Sequence, residues 1–215
     1  MSELKVPTLS YLLLDPAKPF IHRDLSWIQF NERVLAEARS RSNPILRRLK
    51  FLSISASNLD EFFMIRFAGL LRSLSATKEE EKRTNLARVH GAVLESVRTF
   101  AIRQHRTLEV LRKECAEMKI YIHLRLPATH AQYPRARRIF EEKVIPHLVM
   151  KNEFKYASVT ELSNLQLLAY VRKDLFFEVP KTVPPVFFER DEGTVHVYFL
   201  DDLLLSHLDH MLPLK

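Results

Sequence analysis

The hydrophobic period of the chain changes near Lys119, and this change constrains the fold more than any other feature. Before it, Leu86, Val89, Val93, Val97, Phe100, Leu108, Leu111, Cys115 and Met118 recur at steps of three and four, with Gln104 the one polar interruption. Residues at those steps share one face of a helix, so the spacing predicts a single helix of about 33 residues, roughly 50 Å long. After it, Ile120, Ile122, Leu124 and Leu126 alternate with Tyr121, His123 and Arg125, the period of a strand, which Pro127 ends. The expected fold class is therefore α+β: an N-terminal antiparallel helical domain, then a mixed α+β domain.

Local signals place the other elements. Pro7, Pro16 and Pro19 keep residues 1–19 irregular. Ser26 and Gln29 have the spacing of a capping box, and Leu25 and Phe30 that of its hydrophobic staple. The pair predicts a helix whose buried face is Trp27, Phe30, Val34 and Ala38, running to about Arg39. Asn43 then caps a second helix with Pro44 in its first turn and Ile45, Leu49 and Leu52 inward. Ser57-Asn58-Leu59-Asp60 reads as a further helix start, with Leu59, Phe63, Phe67, Leu70 and Leu74 behind it. The charged run from Lys78 to Arg83 is an exposed turn or a frayed end.

In the second half, residues 133–145 return to helix with Ile139, Phe140 and Val144 inward. Strands are expected at Leu165–Val171 and Thr194–Leu200, with short extended pieces at Phe176–Val179 and Pro185–Glu189, and a turn at Asp191-Glu192-Gly193. Asp201 caps a closing helix with Leu204, Leu208 and Met211 on one face. Four short strands make a thin sheet, so this domain is expected to be truncated at its C-terminal end.

Composition excludes several classes. The 215 residues hold only three scattered glycines, so no Walker loop, dinucleotide turn or kinase glycine flap is present. The single cysteine, Cys115, forms no internal disulfide and lies on the helix seam, which favours packing over reactivity and a cytoplasmic setting. No apolar run approaches the roughly 20 residues that span a bilayer, and the N-terminus lacks a secretory pattern. Residues 1–118 carry 20 Lys/Arg against 14 Asp/Glu, and residues 119–215 carry 13 against 12. The basic first half fits either a polyanionic partner or a solvated helical surface.

Candidate chemistry is sparse. His207 and His210 are three apart, with Asp209 between them, a spacing compatible with a metal, but no third ligand is near and an ordinary polar helix face is the expectation. No histidine has a suggestive Ser or Cys partner, so a catalytic triad is not supported. Arg135, Arg137 and Arg138; Arg47, Arg48 and Lys50; and Arg103, Arg106, Arg112 and Lys113 could each clamp phosphate or simply be solvated. The segment Ser55–Phe63 is placed at a helix N-terminus, where free amides favour an anion. There Asn58 either presents its amide to a nucleotide or supports the turn, with Ser57 as the cap.

Three blocks carry a resemblance. Leu25-Ser26-Trp27-Ile28-Gln29-Phe30-Asn31-Glu32-Arg33-Val34-Leu35, then Ser42-Asn43-Pro44-Ile45-Leu46-Arg47-Arg48-Leu49-Lys50-Phe51-Leu52, then Ser57 through Gly69 follow in order at close spacing. Residues 20–70 resemble the N-terminal domain of polyphosphate kinase. The similarity continues more weakly into the family's head domain through Leu162-Ser163-Asn164-Leu165, the proline run at Val179–Pro185, and Phe199-Leu200-Asp201-Asp202. The D-x-x-x-P-F-P stretch of many members is missing between Pro146 and Ser163. The resemblance divides the chain into an irregular segment (1–19), a helical domain (20–118) and a head domain (119–215).

The resemblance implies reversible transfer of the ATP terminal phosphate to inorganic polyphosphate through a phosphohistidine. That histidine and the magnesium-associated arginines belong to C-terminal domains beyond residue 215, so no catalytic or metal residue is expected here. ATP/ADP and Mg2+ are then the implied cofactors of the full-length enzyme, and Asn58 is the one nucleotide contact that carries over by motif. ATP and polyphosphate are the implied partners, with a homodimer or higher homo-oligomer and no specific nucleic acid. A cytoplasmic location is implied, with association at the inner membrane face left open. The alternative is a non-catalytic basic module that grips polyphosphate or nucleic acid.

Overall fold

The computed structural model describes residues 21–152, 167–172 and 175–207. The chain divides into two compact units, Met1–Glu114 and Cys115–Lys215. The expected strand Leu165–Val171 and the closing helix beyond His207 lie partly outside the described residues, as do residues 1–19, Leu208, Asp209, His210 and Met211.

In the first unit, α1 (Arg23–Arg39) is followed by α2 (Ile45–Glu61), a π-helical segment (Phe62–Phe67), α3 (Ala68–Ala76) and α4 (Glu80–Glu117). The capping box at Ser26 does not form. The helix starts three residues earlier, because the Nδ1 of His22 accepts the Asp24 backbone N–H and the Ser26 N–H joins the helical ladder to the His22 carbonyl. The buried face of α1 is correspondingly rotated to Leu25, Ile28, Asn31, Leu35 and Ala38, and Phe30 is 46% exposed. Asn43 does not cap α2 either. Its amide donates back to the Glu37 carbonyl at 3.1 Å and carboxylate at 3.0 Å, and Pro44 is the cap residue.

No helix begins at Ser57. Residues from Ile45 to Ala76 form one uninterrupted helical run, because the backbone N–H of Phe62 bonds to the carbonyls of Asn58 and Leu59. In its middle the winding widens: the Ala68 N–H reaches the Phe63 carbonyl, five residues back. Contacts fix the order of the three long rods. Arg48 meets Glu114, Ser55 meets Gln104 and Phe67 meets His90, so α4 runs antiparallel to the α2–α3 run. Asn31 meets Ser55 and Ala38 meets Arg48, so α1 is antiparallel to it as well. α4 has 38 residues and opens on Glu80 and Glu81, whose charges oppose the positive end of the helix dipole.

Two apolar clusters hold this unit. Leu25, Ile28, Phe62, Leu70, Val89, Val93 and Val97 form one; Leu35, Ala38 and Phe100 form the other. Each such side chain buried contributes about 1.5–3 kcal/mol. The fully buried positions of α2 are Arg48 and Ser55, while the expected Ile45, Leu49 and Leu52 are half-buried and Leu52 packs against the Leu35 cluster. Met118, expected on the α4 stripe, is exposed.

In the second unit Lys119 adopts φ 60, the left-handed conformation that ends a helix, and delivers the chain into β1 (Ile120–His123). There follow α5 (Tyr133–Lys143), a short turn of 3-10 helix (Ile145–His147), β2 (Val149–Asn152), β3 (Leu167–Arg172), β4 (Leu175–Val179), β5 (Val186–Asp191), β6 (Thr194–Phe199) and α6 (Leu200–Ser206). β1 pairs parallel with β6, and β5 pairs antiparallel on the other side of β6. β4 lies between β2 and β3, antiparallel to both. Among the described residues, two three-stranded sheets thus replace the expected single thin one.

β1 stops at His123 rather than continuing to Leu126. Beyond it, the Arg125 N–H is taken by the Asp202 carboxylate and the Leu126 N–H by the Ser206 hydroxyl, both at 2.9 Å, so side chains of α6 replace the ladder. Asp202 thus holds the strand end, and α6 begins at Leu200 with Phe199 as its cap residue instead of Asp201. The core gathers Leu126, Ala136, Ile139, Phe140, Val144, Val179, Phe187, Tyr198 and Leu203, among others. Glu192 (φ 44) and Gly193 (φ 81) form the two-residue turn of the β5–β6 hairpin, whose twist both positive angles match.

Candidate functional site

Asn58 sits in the last turn of α2, half-buried, facing α1. Its Nδ2 donates to the Asn31 Oδ1 at 3.0 Å, and the Asn31 Nδ2 donates to the Ser55 carbonyl at 2.9 Å. The Ser55 hydroxyl accepts from the Gln104 amide at 2.9 Å and donates to the Leu52 carbonyl at 2.7 Å. Four polar side chains therefore join three helices inside an apolar interface. Asn31 is 1% exposed, so its amide must be satisfied within the protein, and it is. Gln104, the one polar break in the α4 stripe, is the member of this network that α4 supplies.

One turn along the same α1–α2 interface lies a cavity of about 310 Å³ lined by Arg23, Trp27, Glu61, Phe62, Ile65 and Arg66. Its wall is the Trp27 ring stacked on Phe62 at 4.9 Å. Phe62, Phe63 and Phe67 continue edge to face along the widened segment, and Phe67 stacks on His90. Buried Asp24 lies 3.7 Å from the Arg23 guanidinium and 3.6 Å from that of Arg66. An aromatic wall, two guanidinium groups and the Glu61 carboxylate thus line the cavity one helical turn from the Asn58 amide, a surface suited to a planar ligand.

The arginine clusters are largely engaged by carboxylates. Arg48 is 5% exposed; its Nε donates to the Ala38 carbonyl at 3.0 Å and its guanidinium to Glu114. Arg103 pairs with Glu32, Arg112 with Glu109, Arg137 with Glu141 and Arg138 with Glu189. Arg135 bonds Asp191 at 2.6 Å, which raises its own pKa and lowers that of the exposed Asp191 carboxyl. Arg47, Lys50, Arg106 and Lys113 are exposed, with no ion pair among the described residues.

The structure gathers histidines that looked dispersed in the sequence. His123 and His196 meet at 2.9 Å, and Tyr121, Tyr198 and His130 surround them. Burial, then Arg135, pushes the His196 pKa down, and burial pushes the Tyr198 phenol up to about 12. The pairing of β1 with β6 creates this cluster, and no sequence spacing announces it. His207 is buried against the rings of Tyr133 (4.6 Å) and Phe140 (5.2 Å), while the expected partners Asp209 and His210 lie outside the described residues. Among the described residues no group of three or more His, Cys, Asp or Glu is placed to hold a metal ion.

The described residues thus form a long helical unit with a polar network at the S-N-L-D-E-F-F segment, followed by a small two-sheet unit. Residues 20–123 match the polyphosphate kinase N-terminal domain. A polyphosphate kinase of Bacillus anthracis is 32% identical over 219 residues, a match covering 89% of this chain and 30% of the relative. One of Pseudomonas aeruginosa is 40% identical over 136 residues, 62% of this chain and 20% of the relative. The crystal structure of polyphosphate kinase from Porphyromonas gingivalis shares the fold with a TM-score of 0.66 at 24% identity, over 92% of this chain and 31% of that one. Residues 20–123 are thus similar to the polyphosphate kinase N-terminal domain, and the likeness to polyphosphate kinases extends over most of the chain. The chain spans under a third of the length of these relatives.

Proposed function

We propose that this chain is the N-terminal and head portion of a polyphosphate kinase, in which Asn58 contacts the nucleotide of ATP while the phosphohistidine chemistry belongs to C-terminal domains. The observation that carries this reading is the placement of Asn58. It uses one amide hydrogen on Asn31, sits half-buried, and lies one helical turn before Glu61 and Phe62, which line the Trp27–Phe62 cavity. The Asn31–Ser55 network fixes its rotamer, so the second amide hydrogen and the carbonyl oxygen are held in place before any ligand arrives. The Trp27–Phe62 wall offers a planar ligand a stacking face, and Arg23 and Arg66, balanced by Asp24 and Glu61, offer it hydrogen-bond donors.

The chain alone is expected to make no polyphosphate. Transfer of a terminal phosphate needs an activated nucleophile and a positive clamp on the moving group, and the described residues supply no such constellation. Mg2+ would be held with the nucleotide phosphates by the C-terminal domains; assembly into a homodimer or higher oligomer, and a cytoplasmic site of action, belong to the same reading. The test is incubation of the purified chain with labelled ATP and magnesium. Absence of polymer and of acid-labile phosphoprotein is the expected result, and labelling of any histidine here would overturn it.

A further inference from the structure

The second unit holds a polar cluster that this phosphotransfer reading leaves unused. His123 closes β1, and His196 lies on β6; both are buried. The His123 Nε2 lies 2.9 Å from the His196 Nδ1, with the rings 5.2 Å apart and 12° from parallel. β1 has four residues and, among the described residues, pairs only with β6. The contact therefore adds a side-chain tie between the strands to the backbone ladder and to the Asp202 and Ser206 bonds just beyond the strand.

Chemistry limits the charge this pair can carry. One imidazole donates and the other accepts, so at least one of the two facing nitrogens must lack a proton. With both rings charged, two N–H donors would face each other across 2.9 Å in a buried site. We propose that the His123–His196 contact is an acid-sensitive latch, which fastens β1 to β6 while one imidazole is neutral and releases β1 when both are protonated.

The surroundings favour the neutral state. Arg135 of α5 acts on His196 from one side and disfavours an added proton. Glu189 and Asp191 of β5 act in the opposite sense, but Arg135 and Arg138 already engage them. The ring neighbours among the described residues are Tyr121 of β1, stacked on His196, Tyr198 of β6, stacked on His123, and His130, edge-on to His123. Burial, then Arg135, lowers the His196 pKa below its ordinary 6.5. The folded chain then holds this proton less tightly than the unfolded chain. Its stabilising effect is complete above pH 6.5 and is lost as pH falls through 6.5 toward the lowered folded value.

Amide exchange on the whole chain at about pH 7.5 and about pH 5, corrected for intrinsic rates, tests the latch in the range where histidines titrate. The expected result is an acid-induced loss of protection at Ile120–His123 and Val195–Tyr198. His196→Asn, whose amide reaches the Nδ1 position without titrating, should remove the acid response, and His123→Gln should do the same from the other side. His130→Gln should leave the response intact. An unchanged acid loss in both paired-site variants, or no loss in the unmodified chain, overturns the proposal. Should either variant not fold, nitrogen-15 shifts of both rings in the unmodified chain decide: two charged rings while the β1 amides stay protected overturn the latch, and one ring neutral until that protection is lost supports it.

Discussion

Asn31 occupies a position in α1 where a leucine would pack, between Ile28 and Leu35, and both halves of its amide are in use. Asn31→Ala should lower stability by about 1–3 kcal/mol, because it orphans the Asn58 donor inside the interface. Asn58→Ala removes one half-buried hydrogen bond and should cost about 1 kcal/mol in thermal unfolding. In a full-length enzyme it should also raise the Michaelis constant for ATP by roughly 5- to 150-fold, the equivalent of about 1–3 kcal/mol of lost nucleotide contact. Ser57 is exposed within a continuous helix, so Ser57→Ala should stay within about 0.5 kcal/mol of the parent. A lowered melting point with unchanged ATP kinetics in Asn58→Ala would leave Asn58 a structural residue. The chemical type at 57–60 was legible in the sequence, but its setting was not. Ser, Asn and Asp can turn to their own backbone and start a helix, or reach another helix and let their own continue. Only the presence of Asn31 across the interface decides between the two.

Among the elements, legibility followed period and length. α4 was readable because its stripe from Leu86 to Cys115 repeats over about eight turns, and the β5–β6 hairpin because Gly193 marks its turn. α1 was readable as a helix but not in its facing. Trp27 and Phe30 outweigh Leu25 and Ile28 in apolar surface, yet the stack with Phe62 leaves Trp27 half-buried and Phe30 outside. β2 carries only four residues of mixed polarity and offers no period of its own; β4 beside it supplies the ladder. Gly193→Ala should destabilise the hairpin by about 1 kcal/mol, since φ 81 strains an alanine although no atom lies near its Cβ. Arg48→Met should cost about 1–3 kcal/mol by thermal melting. It leaves the Ala38 carbonyl and Glu114 without their donor, though Glu114 is exposed enough to take up water.

At the scale of the whole molecule, charge and winding each have a consequence. The surplus of Lys and Arg lies in residues 1–118, and most arginines there that the structure buries are neutralised by a carboxylate. Arg47, Lys50, Arg106 and Lys113 are among the exposed cations left for a polyanion, so retention of polyphosphate by the isolated chain should be weak and fall steeply with added salt. A titration at two ionic strengths checks this, and Arg47→Glu with Lys50→Glu should flatten the salt slope. Tight, salt-insensitive binding would favour a site of another kind. The widened winding at Phe62–Phe67 divides the helical run from Ile45 to Ala76 into two stretches with independent angular phase. Asn58 faces α1 in the phase of the first stretch, whereas Leu70 enters the core in the phase of the second. Each residue of an α-helix advances about 100° around the axis, so removing one residue from Phe62–Phe67 would let the turn relax to α winding while keeping both faces on target. Adding one there would swing Leu70 out of the core. This helix should therefore tolerate shortening at its widest point and resist lengthening there, the reverse of what a surface loop allows.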